Sequence, residues 1–162
     1  GATDVGPIAR PDLRDELHRQ VQETIKQGAD CVLGGELPSG NGYFYPVTLL
    51  SNVTPDMCAF NEETFGPVGV LVKARDADHA VELANDTRYG LAASIWTETS
   101  RGEAMASLLD TGQVSVNGIV KTDPRLPSGG TKASGLGREL GPHGILEFVN
   151  AQQVWVGPAK PA

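Results

Sequence analysis

Leu13, Leu17, Val21 and Ile25 recur at four-residue steps, and the positions between them are mostly charged or polar. That spacing predicts an amphipathic helix from Pro11 to Gly28 with one buried stripe. Pro11 suits the first turn, where its missing N–H would be unpaired anyway, and Gly28 suits the stop. Cys31-Val32-Leu33 predicts a short strand closed by Gly34-Gly35. A turn-rich stretch, Pro38 to Gly42, precedes an extended segment from Tyr43 to Val53. Pro55 to Phe60 has room for one helical turn. The apolar run Val68 to Val72 predicts a strand buried on both faces. Asp76 to Asn85 predicts a helix capped by Asp76, with Ala77, Ala80, Val81 and Ala84 inward. Ala92 to Trp96 and Val114 to Val116 predict strands. Between them, Ser100 to Glu103 reads as a capping box opening a helix through Leu109 that stops at Gly112. Gly118 to Gly137 predicts a long loop, and Arg138 to Phe148 a partial helix interrupted by Gly141-Pro142 and Gly144. Gln152 to Val156 predicts a last strand before a Pro/Ala tail.

Strands alternate with helices from Val68 to Val116. The pattern predicts an α/β fold with a mainly parallel sheet, flanking helices and a C-terminal strand extending out. Residues 1–150 form the expected body and residues 151–162 the strand and tail.

Composition narrows the classes. A chain of 162 residues with 40% hydrophobic and 20% charged positions fits one globular domain. Thirteen basic against twenty acidic residues give a net charge of −7, the wrong sign for a face that grips nucleic-acid phosphates. No apolar run approaches the roughly 20 residues of a membrane helix, and no signal peptide opens the chain. Cytoplasm is the expected compartment, with no nucleic-acid or membrane partner. Cys31 and Cys58 do not make a disulfide framework. His18, His79 and His143 lack metal-ligand spacing, so no metal is expected.

Two stretches carry chemistry. In the first, Glu62 and Glu63 precede Phe65-Gly66-Pro67. A carboxylate there is either part of a charged turn or an acceptor for a ribose diol, with the Phe65 ring packing against a flat group. In the second, Ser128 to Glu139, glycines allow close backbone approach. Gly135-Leu136-Gly137 fails as a dinucleotide fingerprint, because Leu140 stands where the third glycine would fall; the stretch reads as structural. Asn117 is either a turn residue or the start of a functional loop. The loop holds Lys121, Thr122, Asp123 and Arg125, of which the cations and the hydroxyl are donors suited to an anionic group, or all four are simply solvated.

Glu62 to Val68 and Ser128 to Glu139, in this order, resemble the C-terminal part of an NAD(P)-dependent aldehyde dehydrogenase. Gly6 to Leu17 and Thr122-Asp123-x-Arg125 are similar to bacterial succinate-semialdehyde dehydrogenases, and the resemblance runs from about Gly6 to Trp155. It implies that Glu63 holds the nicotinamide ribose of NAD or NADP with Phe65 beside it. It also implies that Asn117 begins the loop lining the substrate entrance, and that Lys121, Thr122, Asp123, Arg125 and Ser128 shape that mouth. Pro127-Ser128-Gly129-Gly130 departs from the family's usual Pro-Phe-Gly-Gly and so lacks an aromatic ring there.

The implied reaction takes a small aldehyde to the acid through a cysteine thiohemiacetal. The nucleophile and the Rossmann domain would lie upstream of Gly1. No catalytic residue is therefore expected in this chain, which should be inactive alone; Cys31 and Cys58 lack the nucleophile's surroundings and read as structural thiols. The C-terminal strand implies a homo-oligomer. Two other readings stay open: a non-catalytic interaction or oligomerisation module, and a dehydrogenase of a different aldehyde, of betaine or phenylacetaldehyde type.

Overall fold

The computed structural model describes residues 4–158. The chain folds as two compact units, Gly1–Leu83 and Ala84–Ala162.

In the first unit, α1 (Pro11–Lys26) leads into β1 (Asp30–Leu33), β2 (Thr48–Ser51), α2 (Cys58–Asn61) and β3 (Val68–Val70). The helix begins at Pro11 as its sequence predicts. Its buried face, however, comprises Leu17, Gln20, Val21 and Thr24, while Leu13 and Ile25 are half-buried. Buried Thr24 and exposed Gln27, the helix cap, have work at α2. The Thr24 hydroxyl accepts the Ala59 N–H at 3.0 Å, and Gln27 Oε1 accepts the Cys58 N–H at 2.7 Å. Two N–H groups that a helix start leaves unpaired are thereby satisfied by side chains from α1 and its cap.

β2 is the central strand, antiparallel to β1 and parallel to β3. Thr48 and Leu50 face inward, and Leu50 joins Leu17, Val21, Tyr45, Val53 and Met57 in the core. β3 is shorter than predicted and half-buried on one face only. Val68, Val70 and Val72 pack on the core, while Leu71 is 54% exposed. It is an edge strand whose second face has no cover among the described residues. Of the segment 43–53, only β2 forms a ladder.

α3 (Ala77–Asn85) is capped as expected, the Asp76 carboxylate accepting the His79 N–H at 2.8 Å. Its inward face is weaker than predicted: Ala77, Ala80 and Val81 are half-buried and Ala84 is exposed.

The second unit holds β4 (Tyr89–Gly90), β5 (Ala92–Ile95), α4 (Thr99–Ala106), β6 (Gln113–Val116), β7 (Thr131–Lys132) and α5 (Gly141–Leu146). β5 and β6 run parallel, joined through α4, and β4 pairs antiparallel with β7. The cap of α4 is Glu98, not Ser100. The Glu98 carboxylate accepts the N–H groups of Ser100 and Arg101 at 3.1 Å each, and the Ser100 hydroxyl is spent on the same carboxylate. The helix closes at Ala106, short of the expected Leu109. Gly141-Pro142 opens α5 instead of interrupting it, since proline is at home in a first turn.

The sheets are therefore mixed, correcting the mainly parallel expectation. Parallel pairs arise where a helix bridges the two strands (β2–α2–β3, β5–α4–β6), because parallel strands need a crossover. β1 and β2, joined by a loop, pair antiparallel, as do β4 and β7, and β7 lies inside the stretch predicted to be loop. Gln152 to Val156 forms no strand, having no ladder partner among the described residues; Trp155 is 78% exposed. The end of the predicted tail lies outside the described residues. Among those described, no helix is long and apolar enough to cross a membrane, and no cluster of ligating side chains suits a metal.

Candidate functional site

The turn at 62–67 leaves α2 and feeds β3. Its two glutamates have opposite fates. Glu62 is tied down: its carboxylate accepts from Arg19 Nη2 at 2.7 Å and from Gln20 Nε2 at 3.0 Å. The Gln20 amide, then Arg19 and the Cys58 thiol hold the Glu62 carboxyl below its ordinary value, against a smaller opposing effect of desolvation. Glu63 is exposed, and its carboxylate has no hydrogen-bond partner among the described residues. Only its backbone carbonyl is held, by Gln20 Nε2 at 3.2 Å. Phe65 is 73% exposed. The far end of the turn is fixed to β2, where the Thr48 N–H donates to the Pro67 carbonyl at 2.9 Å. Gly66 rests on α1, and a Cβ there would overlap the Leu17 side chain.

Gln20, Arg19 and Leu17 as supports of this turn escaped the sequence reading. The one available signal was a glutamine beside Val21 on an otherwise apolar face.

A pH dependence follows from Glu62. Its folded pKa lies below the ordinary value of 4.5, so its contribution to stability is present above that value and is lost as pH falls through the folded one. Urea midpoints measured from pH 6 to pH 3 should fall, and Glu62→Gln should flatten part of the slope. Glu16, Asp12, Asp56, Glu98 and Asp123 are also lowered and contribute to the rest. A variant with an unchanged slope would remove Glu62 from the account.

The two cysteines differ in their surroundings. Cys58 is buried, and burial followed by the Glu62 carboxylate pushes its thiol up, away from the thiolate a nucleophile needs. Cys31 is exposed, its Sγ 3.5 Å from the carbonyl oxygens of Leu33 and Gly34.

The remaining candidates lie in the second unit. Asn117 sits in the left-handed region at φ 53. Its N–H donates to Ile95 O at 2.7 Å and its Oδ1 accepts the Thr97 N–H at 3.0 Å, so it ties the exits of β5 and β6 together. Asp123 and Arg125 neutralise each other: Nε and Nη2 of Arg125 lie 3.0 and 2.7 Å from the two carboxylate oxygens. That pairing lowers the Asp123 pKa and raises that of Arg125. Lys121 is exposed with no ion-pair partner among the described residues. Ser128 exchanges two backbone hydrogen bonds with Glu139, at 2.8 and 2.7 Å.

Lys121, Asp123 and Ser128 line one cavity of about 270 Å³ with Gln113 and Ser115 of β6. Arg125 faces a different, apolar cavity of about 640 Å³ with Leu140, Ile145 and Phe148. Asn117 and Thr122 line neither. Gln113 and Ser115 were missed; the alternation through Gln113-Val114-Ser115-Val116 was the signal that two polar side chains share a face. The glycine-rich stretch is structural, as its sequence suggests: Arg138 donates to the carbonyls of Gly130 and Gly137 at 2.6 and 2.7 Å.

Residues 1–154 match the aldehyde dehydrogenase family. The chain is 53% identical over 152 residues to the succinate semialdehyde dehydrogenase [NAD(P)+] Sad of Escherichia coli (strain K12), covering 93% of the chain and 33% of that protein. It is 44% identical to a probable succinate-semialdehyde dehydrogenase [NADP(+)] of Synechocystis sp. (strain ATCC 27184 / PCC 6803 / Kazusa), covering 95% and 34%. Among solved structures it is similar to the NAD-dependent aldehyde dehydrogenase of Sinorhizobium meliloti, with TM-score 0.93, 38% identity and coverage of 99% and 32%. The succinic semialdehyde dehydrogenase of Streptococcus pyogenes, in complex with NADP+ as the cofactor, gives 0.91, 32%, 97% and 35%. The chain thus spans about a third of the length of the curated relatives it matches.

Proposed function

The chain belongs to the aldehyde dehydrogenase family, and from that premise we propose that it is the part of an NAD(P)-dependent enzyme that receives the nicotinamide side of the cofactor and shapes the substrate mouth. The substrate is an aldehyde, succinate semialdehyde by preference, oxidised to the carboxylic acid through a cysteine thiohemiacetal. The names of the relatives support this preference.

One observation carries the cofactor role. Of two adjacent glutamates, Glu62 is consumed by Arg19 and Gln20, while Glu63 keeps a carboxylate with no partner in the described chain. An unpaired carboxylate beside an exposed ring is an arrangement a ribose diol fits, since the carboxylate accepts two hydroxyl hydrogen bonds. Phe65 packs beside the bound group. The cofactor supplies the hydride acceptor; the protein's part here is to bind and orient it.

In the second unit, Lys121 is the cation left to meet the far carboxylate of succinate semialdehyde, with Ser128 beside it. Arg125 is already neutralised by Asp123, and Thr122 and Asn117 shape the loop. Neither cysteine suits the nucleophile's task, and the 162-residue chain alone turns over no aldehyde. A second reading rests on residues 151–158, where Val154, Trp155 and Val156 are all more than three-quarters exposed: the segment joins copies of the chain into a homo-oligomer.

Calorimetry tests the cofactor role. NAD+ should bind the purified chain weakly, with Kd on the order of millimolar, and Glu63→Ala should abolish the heat. Equal binding by both proteins would refute the assignment of Glu63.

A further inference from the structure

We infer that Gln20 is the residue that positions Glu63 for the cofactor. The inference rests on the proposed role of Glu63 and goes beyond it to a residue in α1 that touches neither cofactor nor substrate. Gln20 is 5% exposed, and a buried amide is unfavourable unless it is hydrogen-bonded. Its Nε2 has two acceptors, Glu62 Oε2 at 3.0 Å and the Glu63 backbone carbonyl at 3.2 Å. One buried group thus grips two consecutive residues, one by side chain and the other by main chain.

The consequence is directional. Glu62 is extended, at φ −104 and ψ 148, and consecutive side chains of extended backbone point to opposite sides. Pinning the Glu62 carboxylate inward against α1 turns the Glu63 side chain outward. The grip on the Glu63 carbonyl then fixes the peptide from which that side chain projects. Arg19 reinforces the grip from the exposed side, 2.7 Å from Glu62. The packing of Gly66 on Leu17 and the hydrogen bond of Pro67 to Thr48 hold the next part of the turn. Between these anchors Glu63 and Phe65 are exposed while Thr64 is half-buried.

The test uses the full-length enzyme that carries this segment. Gln20→Met keeps the length and volume of the side chain and removes both donated hydrogen bonds. It should raise KM for the nicotinamide cofactor about tenfold, with KM for the aldehyde and kcat per titrated active site unchanged. Gln20→Glu, which sets a second carboxylate against Glu62, should raise the same KM. A merely structural role would lower the active fraction and the thermal midpoint and leave KM where it was.

The decisive arm is Gln20→Met in a Glu63→Ala background. Acting through Glu63, it should add nothing further to KM; a full additional increase would overturn the inference. If Glu63→Ala alone leaves KM unchanged, the role of Glu63 falls and this inference with it. If Glu63→Ala raises KM and both Gln20 variants do not, only the positioning role falls.

Discussion

Leu17→Ala should lower the unfolding free energy of the chain by about 2–5 kcal/mol, the usual cost of a cavity in a packed core. Leu17 is 1% exposed and lies in the cluster with Val21, Leu50 and Met57. It also supports the turn that carries Glu63, because the Gly66 backbone rests on it. Gly66→Ala alone should cost about 1–3 kcal/mol, as expected for an overpacked site. The two losses should not add. With Leu17 shortened, the new methyl at position 66 enters the space the leucine side chain vacated, so the double variant should recover about 0.5–3 kcal/mol of the sum. Urea denaturation followed by circular dichroism measures all three. Strict additivity would mean that the contact between α1 and the turn has no energetic weight.

Gly112→Ala should be as damaging in the second unit. A Cβ at Gly112 would land on the carbonyl oxygen of Gly129, with the Gly130 Cα at 3.0 Å. These are backbone atoms with no rotamer to turn aside. The glycine-rich segment would have to move, disturbing the 3.0 Å hydrogen bond from the Gly112 N–H to Gly90 O. A loss at or above about 1–3 kcal/mol is expected. Gly118→Ala is the control, since its nearest neighbour is Val116 O at 4.0 Å. The thermal midpoint should fall clearly for the first and barely for the second. Equal, small shifts would show that the backbone of 128–130 yields easily. Gly112 also lines the cavity that holds Lys121, Asp123 and Ser128, so the same variant should loosen that cavity.

Much of the fold was legible because its signals are local. Pro11 and the apolar spacing of Leu13 to Ile25 marked α1, and Asp76 marked the start of α3. The misreadings share one cause. Ser100 satisfied every local rule for a cap, yet the helix starts one residue earlier, at Thr99, where Glu98 accepts the N–H groups of Ser100 and Arg101 and takes the serine hydroxyl as well. Gly141-Pro142 looked like a helix breaker and is a helix start. Thr131-Lys132 has too little sequence to announce a strand; β7 exists because β4 lies beside it. Burial of Val68 to Val72 was overestimated because an apolar run does not reveal whether anything covers its second face.

What the sequence determined by itself was the presence of α1 and α3, the structural role of the glycines at 128–137, and the family resemblance carried by Glu62 to Val68 and Ser128 to Glu139. These depend on spacing, caps and small residues, all properties of neighbours along the chain. The tertiary structure alone decided that the Glu62 carboxylate is tied while that of Glu63 has no partner among the described residues, that Arg125 faces one cavity while Lys121 and Ser128 face another, and that the sheets are mixed. The reason is distance along the chain. The partners that distinguish two adjacent glutamates stand 42 and 43 residues away, on a helix that only folding brings to them.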